Sequence, residues 1–244
     1  MAIGIPKSIT NLYNRANIPH SWERKIASLY YRYLRIYLKI WTWWNYNRKN
    51  SASIDPFKVI WIDPAEITLR KANDSQMFRE HKIKPAIKDG DWDQKNIEYF
   101  EETEPFQSIQ QRFEKGQSWN ETRIQDNESR EKIERLYENI KAKGFKTQSE
   151  IKPFNDPVHG IKHVDRFLNE INEIMVTIDR NGEIIFDDGN HRLSIAKILG
   201  LEKIPVRVLV RHEKWQEKRN KAVEKPETLD EKFRDHPDIE YLLD

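Results

Sequence analysis

The stretch from Ile184 to Val208, IIFDDGNHRLSIAKILGLEKIPVRV, decides the fold because strand and helix signals follow one another in it without a long gap. Its apolar start ends at an acidic pair and Gly189, and a segment rich in leucine, isoleucine and alanine follows until Gly200. Glycines at both ends of such a segment are typical of a helix between two tight turns. We therefore predict a helix over His191–Leu199 and a strand over Ile204–Val210.

The residues just before this stretch predict a β-hairpin. Two apolar runs, Ile174–Ile178 and Glu183–Phe186, are separated by a loop that contains Asn181-Gly182. Asn-Gly is the dipeptide best suited to a type I′ turn, because both residues tolerate positive φ. The order hairpin, turn, helix and strand indicates an α/β or α+β domain.

Weaker signals cover the middle of the chain. Apolar residues at helical spacing that end at a glycine predict helices, and Pro-bounded apolar runs predict strands. The predicted elements are a strand over Asp55–Ile62 ended by Asp63-Pro64, a loop over 70–90, a turn at Gly90–Asp93, a short helix around Phe106–Phe113 and a longer one around Ile133–Ile140.

The turn Asp188–Arg192 is the strongest candidate for a site that carries chemistry. The first N–H groups of a helix lack intrahelical partners and the helix dipole is positive there, so this turn suits an anion. Asn190 and His191 add side-chain donors, and Arg192 adds a planar fork that matches a phosphate. Any strand-to-helix turn favours the same residue types, however, so a phosphate site and a plain turn both stay open.

Acidic pairs offer places for a divalent cation. Asp187 and Asp188 adjoin the proposed phosphate and are candidates for Mg²⁺ binding or for acid/base work, unless they only cap the helix. Asp91 and Asp93 flank a tryptophan and fit either a Mg²⁺ site or a turn anchored by that ring. Cationic side chains flank the last predicted strand and either extend an anion-binding surface or are solvated: Arg207, Arg211 and His212.

The stretch Ile184–Val208 closely resembles the ParB/sulfiredoxin superfamily. The shared features are an apolar strand, Asp-Gly-x-His-Arg, a Leu/Ala helix, a Gly-Leu corner and a strand led by Ile-Pro-Val. Phe57–Pro64 is similar to the first strand of that superfamily. A looser likeness to uncharacterised ParB-like proteins of archaeal type covers Gly90–Asp93, Arg112-Phe113, Gly116, Trp119, Thr122, Arg211-His212 and Trp215. The resemblance implies an α/β (α+β) fold with a ParB/sulfiredoxin-like mixed sheet and a helical insertion, preceded here by an N-terminal amphipathic helix.

The activities known in this superfamily differ in the residues that they need. Sulfiredoxins place a cysteine beside His-Arg, where this chain has Asn190 and no cysteine anywhere, so that activity is excluded. Partition proteins bind CTP and DNA and carry a helix-turn-helix domain after the core, but the segment after Val210 is too short and too polar for one. Small-molecule kinases of this fold carry Asp-Gly-His-His-Arg, from which this chain departs only at Asn190. It lacks a counterpart of their catalytic acid after the first strand.

The chemistry of the turn, together with the resemblance to phosphate-binding members of this superfamily, suggests a role for each of its residues. Gly189, Asn190, His191 and Arg192 would bind the phosphate of a nucleotide (ATP, ADP or CTP), with Mg²⁺ held by Asp187 and Asp188. Asp188 and His191 would be the catalytic residues of a kinase-like enzyme or a nucleotide hydrolase.

Composition excludes several other classes of protein. The 244 residues include no cysteine, which excludes a disulfide framework, thiol catalysis, Cys-ligated zinc and iron–sulfur clusters. No apolar run approaches the length of about 18 residues that a transmembrane helix needs. Charged residues make up 34% of the chain, but 8 Trp, 9 Tyr and 10 Phe predict a packed core rather than disorder. The first ten residues lack the charged-then-apolar order of a signal peptide, so we expect a cytoplasmic protein.

The first 50 residues differ in charge from the rest of the chain. They hold nine Lys/Arg and one acid, although the net charge of the whole chain is only +2. Apolar residues at helical spacing predict one helix over 21–46 with an apolar stripe: Trp22, Ile26, Leu29, Tyr30, Tyr33, Leu34, Tyr37, Ile40, Trp41 and Trp44. Basic residues fall mainly between those positions: Arg24, Lys25, Arg32, Arg35 and Lys39.

Three partners fit such a helix. Its stripe packs on the body of the protein, or lies at headgroup depth on an anionic membrane surface with the basic residues on lipid phosphates. The third partner is nucleic acid, contacted through the basic face, although the aromatic residues lie on the wrong side for base stacking. Without a recognition domain we expect such binding to be weak and without sequence preference.

We therefore predict three parts: a basic aromatic extension over 1–50, a ParB/sulfiredoxin-like domain over 51–215 with a helical insertion at about 90–170, and a charged helical tail over 216–244. The first functional hypothesis is a phosphate- or nucleotide-binding protein with phosphotransfer or hydrolysis on a small molecule. The alternative is a non-catalytic module that docks to a membrane surface or nucleic acid through its basic helix.

Overall fold

The computed structural model describes residues 20–72, 84–150 and 172–243, without the side chains of residues 20–28 and 31. These parts of the chain contain six α-helices and seven strands. The helices are α1 (His20–Thr42), α2 (Glu104–Phe113), α3 (Asn127–Lys143), α4 (Asn190–Ile198), α5 (Glu213–Glu224) and α6 (Pro237–Leu243). The strands are β1 (Val59–Ile62), β2 (Leu69–Lys71), β3 (Ala86–Lys88), β4 (Ile97–Tyr99), β5 (Ile174–Ile178), β6 (Ile184–Asp188) and β7 (Ile204–His212).

The strands form one mixed sheet in the order β1-β7-β5-β6-β2-β4, and β3 pairs with β7. The β5–β6 hairpin is antiparallel, whereas β5 runs parallel to β7 and β2 runs parallel to β6. Strand β7 lies in the interior of the sheet and is buried along its whole length. The mixed sheet and its helices confirm the predicted α+β class.

The strongest predictions hold because their signals are local. The hairpin, the helix that follows Gly189 and the strand from Ile204 all form, and the two middle helices end near Gly116 and Gly144 as predicted. The hairpin turn is nevertheless not type I′. Of its residues only Gly182 has positive φ, and the Asp179 carboxylate stabilises the loop by accepting from two backbone N–H groups at 2.7 Å.

The prediction of a loop over 70–90 is wrong in part. Strand β2 ends within this stretch and β3 lies in it, and the residues between them, 73–83, lie outside the described residues. Both strands are three residues long and pair with strands distant in sequence, so no hydrophobic period could reveal them.

The prediction that Arg207, Arg211 and His212 face an anion or solvent is also wrong. All three are buried in β7, with 1%, 4% and 0% of their surface exposed. Arg211 pairs with the buried Asp238 of α6, and the His212 Nε2 atom lies 2.9 Å from the Gly90 carbonyl oxygen. Arg211 and His212 therefore connect elements inside the fold.

The C-terminal residues pack into the core. Trp215 in α5 and Ile239 in α6 are fully buried and belong to the main hydrophobic cluster on the sheet. Asp238 accepts hydrogen bonds from Arg211 and from the Trp215 indole, and its carboxylate lies 3.2 Å from Arg219 Nε. Residues 216–243 are therefore integrated with the sheet that precedes them.

The turn at Gly90–Asp93 binds an arginine. Arg180, in the β5–β6 turn, donates to Asp91 at 2.9 Å and to both carboxylate oxygens of Asp93 at 2.7 Å. The Arg180 guanidinium holds the pKa of Asp91 below its usual value. Because Arg180 already donates to oxygens of both carboxylates, a Mg²⁺ ion at this turn would have to displace it, so these contacts favour the alternative of a structural turn.

Helix α1 is present, but its apolar residues do not form one buried stripe. Leu38, which the predicted stripe omits, is fully buried against the body, and so is Thr42. Leu29, Tyr33 and Ile40 of the predicted stripe have more than 60% of their surface exposed. The helix is therefore apolar on two sides, one of which packs on the body while the other is exposed.

Candidate functional site

The turn between β6 and α4 requires a glycine. Gly189 adopts φ 104° and ψ 31°, a left-handed conformation that residues with a Cβ rarely accept. A Cβ at this position would also lie 3.1 Å from the Cα atom of Ile174 in β5. The turn thus holds the start of α4 directly against the first residue of the neighbouring strand.

The first turn of α4 presents backbone donors without a cap. Gly189, at the N-cap position, has no side chain to accept from them, so the cap supplies no side-chain hydrogen bond. The first intrahelical bond is donated by Leu193 to the Gly189 carbonyl, so the N–H groups of Asn190, His191 and Arg192 precede the hydrogen-bonded ladder. A helix start of this kind carries a positive partial charge.

Arg192 folds back under its own helix start. Its Nη2 atom lies 3.4 Å from where a Cβ of Gly189 would be, so the guanidinium group lies beside the turn. Its Nη1 atom is 3.9 Å from Oε2 of Glu173, too far for a hydrogen bond, and neither atom has a hydrogen-bond partner among the described residues. From the sequence we predicted that the planar guanidinium group of Arg192 matches a phosphate. The structure places this group beside the buried carboxylate of Glu173.

Glu173 is the residue of this region that sequence reasoning missed. Its side chain is 1% exposed and its Oε1 accepts a 2.5 Å hydrogen bond from the Gln148 backbone N–H. Burial raises the pKa of Glu173 to about 7, although the Gln148 bond and the charges of Arg192 and Arg207 oppose that shift. The only sequence signal for it was its position one residue before a buried strand.

The raised pKa of Glu173 makes stability depend on pH. An unfolded glutamate keeps its ordinary pKa near 4.5, so the folded state binds the proton more tightly and loses stability as the pH rises from about 4.5 to about 7. We expect the Glu173→Gln variant to gain stability relative to the wild type over that interval, because glutamine stays neutral. Urea unfolding at a series of pH values measures this difference. If the free energies of unfolding of the two proteins differed by the same amount at every pH, the raised pKa of Glu173 would be contradicted.

Asp187 and Asp188 interact with different cations. Both lie at the end of β6, where the pairing with β5 is irregular because Asp187 has no partner in the register. Asp188 Oδ1 accepts from the Gly189 N–H at 2.8 Å and its charge attracts Arg192, whereas the charge of Asp187 attracts Arg207. The described residues contain no cluster of three or more metal-binding side chains. Asp188 is thus the one of the two that lies at the turn.

His191 is the exposed member of the turn, and Asn190 is half-buried. Loss of hydration lowers the pKa of His191 below its ordinary value, while the charge of Asp126 at the start of α3 opposes that shift. The imidazole is therefore mostly neutral at pH 7 and can accept a proton there. The Asn190 Oδ1 atom is buried without a hydrogen-bond partner among the described residues.

A second surface lies on α1. Arg32 and Lys39 are exposed, and the guanidinium carbon of Arg35 lies 4.9 Å from the centre of the Phe57 ring. The side chains of Arg24 and Lys25 lie outside the described residues. The described basic side chains of α1 therefore lie at or near the surface of the protein.

No helix in the described parts of the chain combines the length and the apolar character needed to cross a bilayer. The chain matches no protein-family model, no curated protein and no solved structure.

Proposed function

We propose that the turn Gly189–Arg192 binds the phosphate of a nucleotide or of another phosphorylated small molecule. The observation that carries the proposal is the buried Arg192 guanidinium beside three uncapped N–H groups, with one guanidinium nitrogen lacking a hydrogen-bond partner among the described residues. A phosphate oxygen at the turn would satisfy both kinds of donor. The raised pKa of Glu173 supports the proposal, because a protonated carboxyl does not repel the anion.

The resemblance of Ile184–Val208 to the ParB/sulfiredoxin superfamily supports the same ligand class, and we propose that this chain adopts that fold. Phosphotransfer or hydrolysis would add a catalytic step to binding. In that reaction Asp188 would accept a proton or hold Mg²⁺ with the nucleotide phosphates, since Mg²⁺ needs only one or two protein carboxylates. His191, neutral and exposed, would accept a proton from the attacking group.

We expect Arg192→Ala to weaken binding of ATP, ADP or CTP by about ten- to a hundredfold, because a charge-assisted contact is worth about 1.5–3 kcal/mol. His191→Ala is expected to have a smaller effect, since a neutral imidazole contributes one ordinary hydrogen bond. Isothermal calorimetry with Mg²⁺ present measures both effects, and phosphate release in the same samples measures turnover.

Lys203→Ala is the matched control, because it removes an exposed cation elsewhere. Arg192→Lys keeps the charge beside Glu173 but loses the planar fork, so it separates recognition from folding. Wild-type affinity in a folded Arg192→Ala protein would show that the turn has no role in binding.

Docking to a surface through α1, which includes peripheral association with a membrane, is the second candidate function. The observation that favours it is the exposed apolar side of α1, because large apolar patches on a folded protein mark interaction surfaces.

A further inference from the structure

The exposed side of α1 and the turn after it carry a regular row of large apolar residues. Leu29, Tyr33, Ile36, Ile40 and Trp43 follow one another at intervals of four, three, four and three residues, which places them on one side of a helix. Between 53% and 64% of the surface of each is exposed. We call these five residues the exposed row; Trp44, 61% exposed, lies beside it.

The body of the protein holds α1 so that this row faces outward. Leu38 and Thr42 are fully buried on the opposite side of the helix. The Asn47 side chain donates to the Ile54 carbonyl at 3.0 Å and accepts from the Ile54 N–H at 2.8 Å. The segment after the helix is tied to α5, because Gln216 donates to the carbonyl of the buried Ala52 at 2.8 Å. Rotating α1 to bury the row would break these contacts.

The charged side chains that α1 itself places beside the exposed row are positive among the described residues, and one acidic residue, Asp55, lies near the end of the row where it lines a groove with Ile40 and Trp43. Arg32 and Lys39 are exposed next to it, and Arg48 stacks on the Trp44 ring at 4.3 Å. The sequence has no acidic residue between Arg24 and Ile54. The surface therefore combines tryptophan, tyrosine and aliphatic side chains with basic ones, which is the composition of helices that lie in the interface of anionic bilayers.

The apolar surface continues into a groove between α1 and the body. This open groove has a volume of about 560 Å³, and Ile40 and Trp43 line it together with Ile54 and Pro56. Two charged residues also line it, Lys39 with an ammonium group and Asp55 with a carboxylate. The groove gives the apolar part of a lipid a place beside a cation.

We infer that the exposed row docks on an anionic phospholipid bilayer, with its aromatic residues at headgroup depth and Arg32 and Lys39 on lipid phosphates. The inference rests on the second candidate function and names its partner. A second copy of this chain fits less well, because pairing two rows would bring basic residues of the same sign together. Nucleic acid fits less well too, because phosphate contacts would leave the apolar row exposed to water.

Flotation of the full chain with vesicles tests the inference. We expect binding to phosphatidylcholine vesicles that contain phosphatidylserine, little binding to vesicles of phosphatidylcholine alone, and weaker binding as salt is raised. Replacing Arg32 and Lys39 by glutamine is expected to weaken binding by about fivefold for each charge. The double variant Ile36→Glu and Ile40→Glu is expected to lose at least about tenfold, because it places charges in the middle of the inserted row.

Tyr99→Glu is the matched control, because Tyr99 is 60% exposed on an edge strand and does not belong to the row. Circular dichroism checks that each variant is folded. If the Ile36/Ile40 double variant still binds vesicles that contain phosphatidylserine, the exposed row has no role in docking. The basic residues would then be sufficient for it. If the chain binds neither kind of vesicle, the membrane is not the partner. Light scattering then tests for a dimer and a gel shift tests for a nucleic-acid complex. If both are negative as well, docking through α1 is not a function of this protein.

Discussion

Replacing Asp238 with alanine is expected to lower the free energy of unfolding by about 3–5 kcal/mol, because it leaves buried cations without their counter-charge. Arg211 donates to the carboxylate at 2.8 and 2.6 Å, and Trp215 donates to it at 3.0 Å. Arg219, also buried, lies 3.2 Å from the same carboxylate. Because α6 contributes Asp238 and α5 contributes two of its partners, the variant also loosens the packing of both helices on β7.

Urea unfolding of Asp238→Ala and of Asp235→Ala measures this effect with a matched control, since Asp235 is exposed in the same segment. Although burial raises the pKa of Asp238, the two arginines outweigh it and lower that pKa to about 2. The stability that this carboxylate supplies is therefore present above its ordinary pKa and is lost as the pH falls through about 2. A loss below about 1 kcal/mol would mean that the arginines find other partners.

Replacing Gly189 with valine is expected to cost about 2–5 kcal/mol and to abolish phosphate binding. The left-handed conformation alone costs a residue with a Cβ about 1–2 kcal/mol, and forcing a side chain into a packed site adds about 1–3 kcal/mol. The added Cβ would meet the Cα of Ile174 at 3.1 Å, and backbone atoms cannot move aside as a side-chain end can. The shift needed to relieve this contact would move the N–H groups that we propose bind phosphate.

Gly116→Val is the matched control, because Gly116 also has positive φ but no atom lies within 4 Å of its added Cβ. Only the conformational cost then remains. Thermal unfolding compares the two variants, and calorimetry compares their affinity for nucleotide. Equal losses of stability in both proteins would show that the contact with Ile174 is not tight.

The sequence predicted those parts of the fold whose signals lie within a few residues. Gly189 and Gly200 bound α4, and the hairpin around Gly182 forms where the Asn-Gly pair predicts it. Strands β2 to β4 were missed because each is only three residues long and gains its stability from partners far along the chain. The type of hairpin turn was also missed, since the Asp179 side chain, rather than the Asn-Gly pair, determines it.

Buried charges explain most of what the sequence could not show about the sites. Arg207, Arg211 and Glu173 resemble solvated surface residues until their partners are known, because lysine, arginine and acids are rarely buried unless paired. The two apolar sides of α1 have a similar cause. A helical period identifies apolar positions, but only the contacts of Leu38 and Thr42 show which side faces the body.

An NMR titration of the labelled full chain with ATP and Mg²⁺ tests the phosphate site most directly, because it reports on the backbone N–H groups themselves. We predict that the largest amide shifts fall on Asn190, His191 and Arg192 and saturate with one ligand, and that inorganic phosphate shifts the same amides more weakly. Shifts confined to other residues, or none in this turn at saturating nucleotide, would contradict it.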